Sequence, residues 1–230
     1  MSKFLDIIKT KPFSLIMSLP KNNKDLAKAA EEAGADVIKI HINVEHRASG
    51  TYFGPFEEEK NAIKSILDTV KIPAGIVPGA GKVATKEEMM ELYEMGIDFF
   101  DTYIENIPAC MLELPQKMAR MYAPSYNFDL KLLPYLKHWG ADIVEASVMA
   151  PENYGRELRL SDLLLYQWIC ETSNLPVVIP TQLAIKPEEI KYLKHAGVRC
   201  IMIGAIVTGK EANTIYEAVK KFREAIDNLV

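Results

Sequence analysis

Three charged residues share one offset in this chain. Lys39, Asp101 and Glu145 each lie five positions beyond a glycine (Gly34, Gly96, Gly140), and each interrupts an apolar run: VIKIHI, FFDTYI and IVEASV. Two positions further on stand His41, Tyr103 and Ser147. A lysine close to carboxylates in a poorly solvated site can take part in proton transfer at a carbon. If burial lowers its pKa, it can also act as a base or form a Schiff base. In this reading Lys39 and Glu145 move protons or hold the covalent adduct, Asp101 tunes Lys39, and His41 polarises the substrate.

Those residues need strands to aim them. Eight short apolar runs begin near Phe13, Asp36, Ile72, Ile97, Arg120, Asp142, Pro176 and Cys200, and helical patterns such as NKDLAKAAEEA, TKEEMMELYEM and KPEEIKYLKHA lie between them. Strands alternating with helices imply a parallel sheet, and eight in this length suit a single (β/α)8 TIM barrel spanning 1–230, with an open doubly wound sheet as the alternative. A weak repeat supports the barrel. AGADVIKI pairs with WGADIVEA, KIPAGIV with NLPVVIP, and MGIDFFD with AGVRCIM, at spacings of 106, 103 and 101 residues. Two similar half-barrels follow, with Lys39 and Glu145 in corresponding places across the lumen. A fourth glycine, Gly197, extends the register to Cys200, Met202 and Gly204.

The alternate positions, including Ile38, Ile40, Phe100, Val144 and Ile201, are almost all apolar and suit the face beneath the helices. The lumen therefore reads upward as an apolar layer, then Lys39/Asp101/Glu145/Met202, then His41/Tyr103/Ser147/Gly204. Polarity rises toward the C-terminal ends of the strands, where barrel active sites lie. Tyr103 and Ser147 are candidate hydrogen-bonding partners for a substrate, and a structural ion-pair network is the other reading of the charged layer.

The C-terminal run PVVIPTQLAIKPEEIKYLKHAGVRCIMIGAIVTG places loops after the seventh and eighth strands in the arrangement that holds phosphate in many barrels. Gly204, Ala205 and Ile206 are expected to offer backbone amides, with Gln182 and Leu183 beside them and Thr181 as a substrate contact. Arg47 in the loop after the second strand and Arg156 in the loop after the sixth are candidate anion contacts. His41, Glu45 and His46 form the only candidate metal group, and no metal is expected. GAGK at 79–82 is too short for a nucleotide-binding P-loop.

The composition fits a soluble protein: 49% apolar, 25% charged, net charge −4. The slight acidity argues against a general nucleic-acid partner, and no apolar run reaches membrane-spanning length. Three scattered cysteines suggest neither disulfides nor a zinc site, and the first ten residues are too charged for a secretion signal, so a cytoplasmic location is expected. A homo-oligomer is compatible with a barrel of this size.

The C-terminal run resembles the end of the ribulose-phosphate-binding barrels, a superfamily of epimerases, isomerases, decarboxylases and synthases acting on phosphorylated substrates. VIKIHIN resembles the second strand of N-acetylmannosamine-6-phosphate 2-epimerases, with His41 at that family's arginine and Asn43 at its asparagine, a substrate contact. The chain departs from that family at Pro78, where the family carries a catalytic lysine, and at Thr181, where it carries a glutamate. The decarboxylase Asp-x-Lys-x-x-Asp pattern is missing from the third strand. The resemblance implies an enzyme acting on a small phosphorylated sugar or related metabolite, an epimerase, isomerase or carbon–carbon lyase requiring no cofactor. The alternative is a non-catalytic barrel that binds a phosphometabolite, or flavin mononucleotide, in a regulatory role.

Overall fold

The computed structural model describes residues 2–229; Met1 and Val230 of the expected domain lie outside the described residues. Eight parallel strands close a barrel: β1 (Ser14–Ser18), β2 (Val37–His41), β3 (Ala74–Val77), β4 (Phe99–Tyr103), β5 (Ala119–Ala123), β6 (Ile143–Glu145), β7 (Val177–Pro180) and β8 (Cys200–Ile203). Each strand pairs with its neighbours in sequence, and β8 returns to β1 with Ser14 opposite Cys200 and Met17 opposite Ile203. The expected (β/α)8 architecture is the one observed.

The four register glycines all have left-handed backbones, with φ of 100°, 109°, 84° and 87° at Gly34, Gly96, Gly140 and Gly197. Each lets the chain leave a helical or turn segment and enter the next strand at a fixed offset. Alternation then sorts the side chains. Ile38, Ile40, Phe100, Val144 and Ile201 join the outer core beneath the helices. Val37, Phe99, Ile143 and Cys200 join a separate inner cluster with Ile16, Met121 and Val178.

That inner cluster is completed by α1 (Lys3–Thr10), which closes the lower end of the lumen with Phe4, Leu5 and Ile8. Phe4 and Ile8 are one helical turn apart and reach the same face. The helix is held at its start by Asp98, just ahead of β4, which accepts from Lys3 N at 2.8 Å and Phe4 N at 2.9 Å. Phe99 packs on Phe4 with ring centroids 4.6 Å apart. Its ring leaves no room at Gly75, where a Cβ would lie 2.1 Å from Phe99 Cζ.

The outer ring contains α2 (Lys24–Glu32), α3 (Phe56–Thr69), α4 (Lys86–Met95), α5 (Leu160–Ser173), α6 (Ile190–His195), α7 (Ala205–Thr208) and α8 (Ala212–Asp227). Between β4 and β6 it departs from the ideal. Short 3-10 turns at Ile104–Asn106, Ala109–Glu113 and Leu130–Tyr135 stand where helices would be. Pro108, Pro115, Pro124 and Pro134 punctuate this stretch, and proline removes the amide that a longer helix needs. No helix of the described residues is long and apolar enough to cross a membrane.

Candidate active site

Above the apolar layer the lumen opens into a cavity of about 360 Å³ at the C-terminal ends of the strands. Lys39, Asp101 and Glu145 lie at its base. Lys39 Nζ donates to Asp101 Oδ2 at 2.6 Å and to Glu145 Oε2 at 3.0 Å. All three side chains are buried. The register explains the meeting: β2, β4 and β6 each present the fifth residue after their glycine at the same height.

The electrostatics correct one expectation. Burial alone would lower the pKa of Lys39, but the charges of Asp101 and then Glu145, with the hydrogen bonds from both, outweigh it and raise the net value. Lys39 is thus a held ammonium, and the neutral amine needed for a base or a Schiff base is disfavoured. Burial and then repulsion from Glu145 push the Asp101 carboxyl well above the usual range, against the attraction of Lys39. For Glu145, burial favours the neutral acid, but Lys39 and hydrogen bonds from Asp101, Lys39 and Ser147 reverse this and lower the pKa. Two carboxyls facing one ammonium favour keeping one proton between them, with Asp101 the more basic of the two, and that proton would leave the set neutral. Such neutrality makes their burial tolerable.

His41 lies above this set, 1% exposed. Its Nε2 is 3.4 Å from Ser18 Oγ on β1, and its Nδ1 has no hydrogen-bond partner among the described residues. Asp101 Oδ1 is likewise buried and unpartnered. Burial, followed by the proximity of His46 and Lys39, drives the His41 pKa well down, so the ring is neutral. His46, in a hairpin of Val44–His46 and Thr51–Phe53, stacks on His41 with centroids 4.6 Å apart. Its pKa is lowered to about 4, by burial first and Lys39 second. Arg47 in the same hairpin lines the cavity, and its guanidinium carbon is 5.8 Å from the Tyr154 ring centroid. The loops after β2 and β6 therefore meet over the mouth.

The opposite wall is a hydrogen-bonded chain. Tyr103 Oη is 3.2 Å from Ser147 Oγ, and Gln182 Nε2 donates to Ser147 Oγ at 3.0 Å and to Tyr154 Oη at 2.6 Å. Met149 N donates to Gln182 Oε1, so that amide is fixed in orientation. Thr181 Oγ1 accepts from Gly204 N at 3.0 Å, tying the loops after β7 and β8 together. Gly204 precedes the short helix α7, and Val207 N already donates to the Gly204 carbonyl. This leaves the amides of Ala205 and Ile206 as the ones without an intrahelical acceptor. The backbone at Gly204 is extended (φ −147°), and an added Cβ would meet nothing closer than Ser18 Cβ at 3.7 Å. Neither conformation nor packing within the chain demands glycine there.

Four expected contacts, Asn43, Arg156, Leu183 and Ala205, are absent from the cavity lining, while Gly204 and Ile206 on either side of Ala205 do line it. Asn43 has φ 53°, donates from Nδ2 to the Pro78 carbonyl and exchanges backbone bonds with Gly54 and Ala80, so it anchors two loops outside the cavity lining. Arg156 is held by Asp162 through two 2.7 Å bonds and is also absent from the lining. Leu183 is fully buried in the outer core and turns away from the cavity. Among the described residues no group of three His, Cys, Asp or Glu side chains is placed to hold a metal. Tyr154, His46 and Ser18 do line the cavity and were not among the expected contacts. Ser18 was accessible from alternation along β1, as the second residue after Ile16.

No protein-family model and no curated protein matches the chain. Solved structures do. Tryptophan synthase from M. tuberculosis aligns over 98% of this chain and 99% of its own at a TM-score of 0.73 and 12% identity. The chain is a TIM barrel. Phosphoribosyl anthranilate isomerase from Thermotoga maritima aligns over 94% and 100%, with a TM-score of 0.70 and 14% identity. Thiamine phosphate pyrophosphorylase from Pyrococcus furiosus aligns over 95% and 98%, with a TM-score of 0.68 and 14% identity. At these identities the likeness is one of fold.

Proposed function

We propose that this TIM barrel is an enzyme that moves a proton at a carbon next to a carbonyl in a small phosphorylated metabolite, as an epimerase or isomerase does. The observation that carries this reading is the buried Lys39–Asp101–Glu145 set. Proton transfer at carbon needs a group to accept the proton, a group to return one, and positive charge for the oxygen that becomes negative. Glu145 is the carboxylate, Asp101 the carboxylic acid and Lys39 the ammonium. The unpartnered ring nitrogen of His41 is available to a substrate oxygen. An aldol-type lyase reaction would use the same three groups, with Lys39 acting through its charge rather than through a covalent adduct. The set requires no cofactor for this chemistry.

The phosphate is assigned to the amides of Ala205 and Ile206 with Gly204 giving close access, flanked by Gln182 and Thr181, and Arg47 closes over the mouth. The names of two fold neighbours, a thiamine phosphate pyrophosphorylase and a phosphoribosyl anthranilate isomerase, point the same way.

The test is proton exchange in deuterated water with a panel of phosphorylated ketoses, aldoses and amino sugars, followed by NMR. The expected result is deuterium entering next to the carbonyl of one panel member, lost in Glu145→Gln. Gly204→Ala should fold as well as the parent while losing the thermal stabilisation by that ligand. Ligand stabilisation without exchange in any panel member would leave a binding protein rather than an enzyme. No stabilisation by any phosphorylated compound would remove the phosphate assignment.

A further inference from the structure

The outer surface carries an apolar area that the cavity does not use. Helix α5 is apolar nearly all round. Tyr166 and Ile169 face the barrel and are buried, while Leu160, Leu164 and Trp168, four residues apart, face outward at 70%, 59% and 41% exposure. The turn Leu130–Tyr135 packs alongside α5. Its three-residue period aligns Leu132 and Tyr135, 47% and 62% exposed, and Trp139 follows at 58%. A ring helix normally keeps its second face polar for water; one that is apolar on both faces is a covered helix.

Side chains of this size present ~200 Å² each when fully open, so these six together leave roughly 650 Å² in water. That exceeds the ~300–600 Å² of the largest patch on an ordinary monomer and approaches the ~800 Å² that each partner gives to a stable interface. The outward residues of α5 among them are Ser161 and Gln167, so no charge has to be desolvated at the centre. Charges stand at the margins: Lys131 and Lys137 beside the turn, Glu171 toward the end of α5, and Glu157 with Arg159 at its head, all exposed.

We propose that this face binds a second copy of the chain, the turn and α5 of one copy packing on α5 and the turn of the other about a two-fold axis. A two-fold contact places the same patch on both sides. It brings the lysines of each turn toward Glu171 of the opposite α5, so the margins attract while the centres exclude water. Arg159 and Glu157 offset one another at the far end.

The chain's only two tryptophans, Trp139 and Trp168, both lie in the patch, so they report on it directly. The experiment is sedimentation equilibrium on the full chain, with tryptophan emission recorded through the same dilution series. A dimer at ~10 µM is expected, with emission moving to the red as dilution separates the copies. Leu160→Glu combined with Leu164→Glu keeps both tryptophans. It should be monomeric with red-shifted emission at every concentration, and with native circular dichroism. Tyr192→Glu, an exposed site on α6, should remain dimeric. A wild-type chain that stays monomeric up to ~100 µM, including one that instead adsorbs to lipid vesicles, overturns the proposal. So does a dimer that the paired glutamates leave intact.

Discussion

Val37 and Lys39 stand two positions apart along β2, as do Phe99 and Asp101 along β4 and Ile143 and Glu145 along β6. Within that one step the lumen changes from a dry packed layer to a charged one. The lower layer, Val37, Phe99 and Ile143, belongs to one buried cluster with Phe4 of α1, which seals it. The upper layer holds an ammonium and two carboxyl groups around a cavity. The lower half holds its shape through dispersion and burial, which are non-directional. The upper half depends on charge balance, and it leaves polar atoms of Asp101 and His41 without internal partners. A barrel can thus keep a rigid base under a site that would be unstable if any one charge were removed.

The contrast is broken most severely at Lys39. Lys39→Met leaves Asp101 and Glu145 buried without their counter-charge. It should cost ~3–5 kcal/mol and abolish the deuterium exchange. The fall of stability with rising pH, which the raised Asp101 already gives the parent, should steepen. In the parent, the raised pKa of Lys39 gives stability that persists until pH exceeds the ordinary lysine value of 10.5. In the variant, both carboxyls are pushed upward, so the native state holds more protons than the unfolded one and stability falls as pH rises. Denaturant unfolding at about pH 5 and about pH 8 reads this, and equal stability of variant and parent at both would erase the distinction between the layers.

In the lower layer the effect should be large on stability and absent from chemistry. Phe99→Ala should cost ~3–5 kcal/mol while the folded fraction retains its exchange rate. Gly75→Ala alone should cost ~1–3 kcal/mol because its Cβ meets the Phe99 ring. In the Phe99→Ala background that cost should disappear, and a double-mutant cycle measures the coupling. Independent effects of the two changes would mean that the layer is not packed as described.

A smaller effect sharpens the boundary at the mouth. His46 has its pKa lowered from 6.5 to about 4. Between those values the unfolded state binds the proton and the native state does not, so stability falls as pH drops from 6.5 toward 4. The contribution is at most ~3 kcal/mol. His46→Gln should flatten that part of the acid limb, leaving the share due to His41. Thermal melts across the range check it, and an unchanged acid limb would mean that His46 is solvated.

Much of the frame is legible in the chain itself, because a strand has period two and a left-handed glycine fixes where counting begins. Lys39, Asp101, Glu145, His41, Tyr103 and Ser147 follow from Gly34, Gly96 and Gly140 by counting alone. What counting misses is whatever depends on several partners at once. The protonation of Lys39 is decided by two carboxylates against burial, and a lysine among isoleucines suggests only the burial. Arg156 in an open-looking loop gives no sign that Asp162 will hold it at both ends. Asn43 matches a substrate-contact pattern, yet its left-handed backbone makes it a loop anchor. The start of α1 is held by Asp98, a partner some ninety-five residues away, which no local pattern announces.

That distant attachment also orders events in time. Helix α1 leaves the ribosome well before β4 and Asp98 exist to receive it, and the lumen it closes has no wall until Cys200–Ile203 joins Ser14–Ser18. Its apolar face has no completed lumen to close until those later strands are made. A segment made early and seated late is where a folding chain is open to wrong contacts. Long-range closure of this kind slows folding. In this barrel the stopper at the base is therefore also a clock: the lumen is finished only when the oldest element and the youngest strand have both arrived.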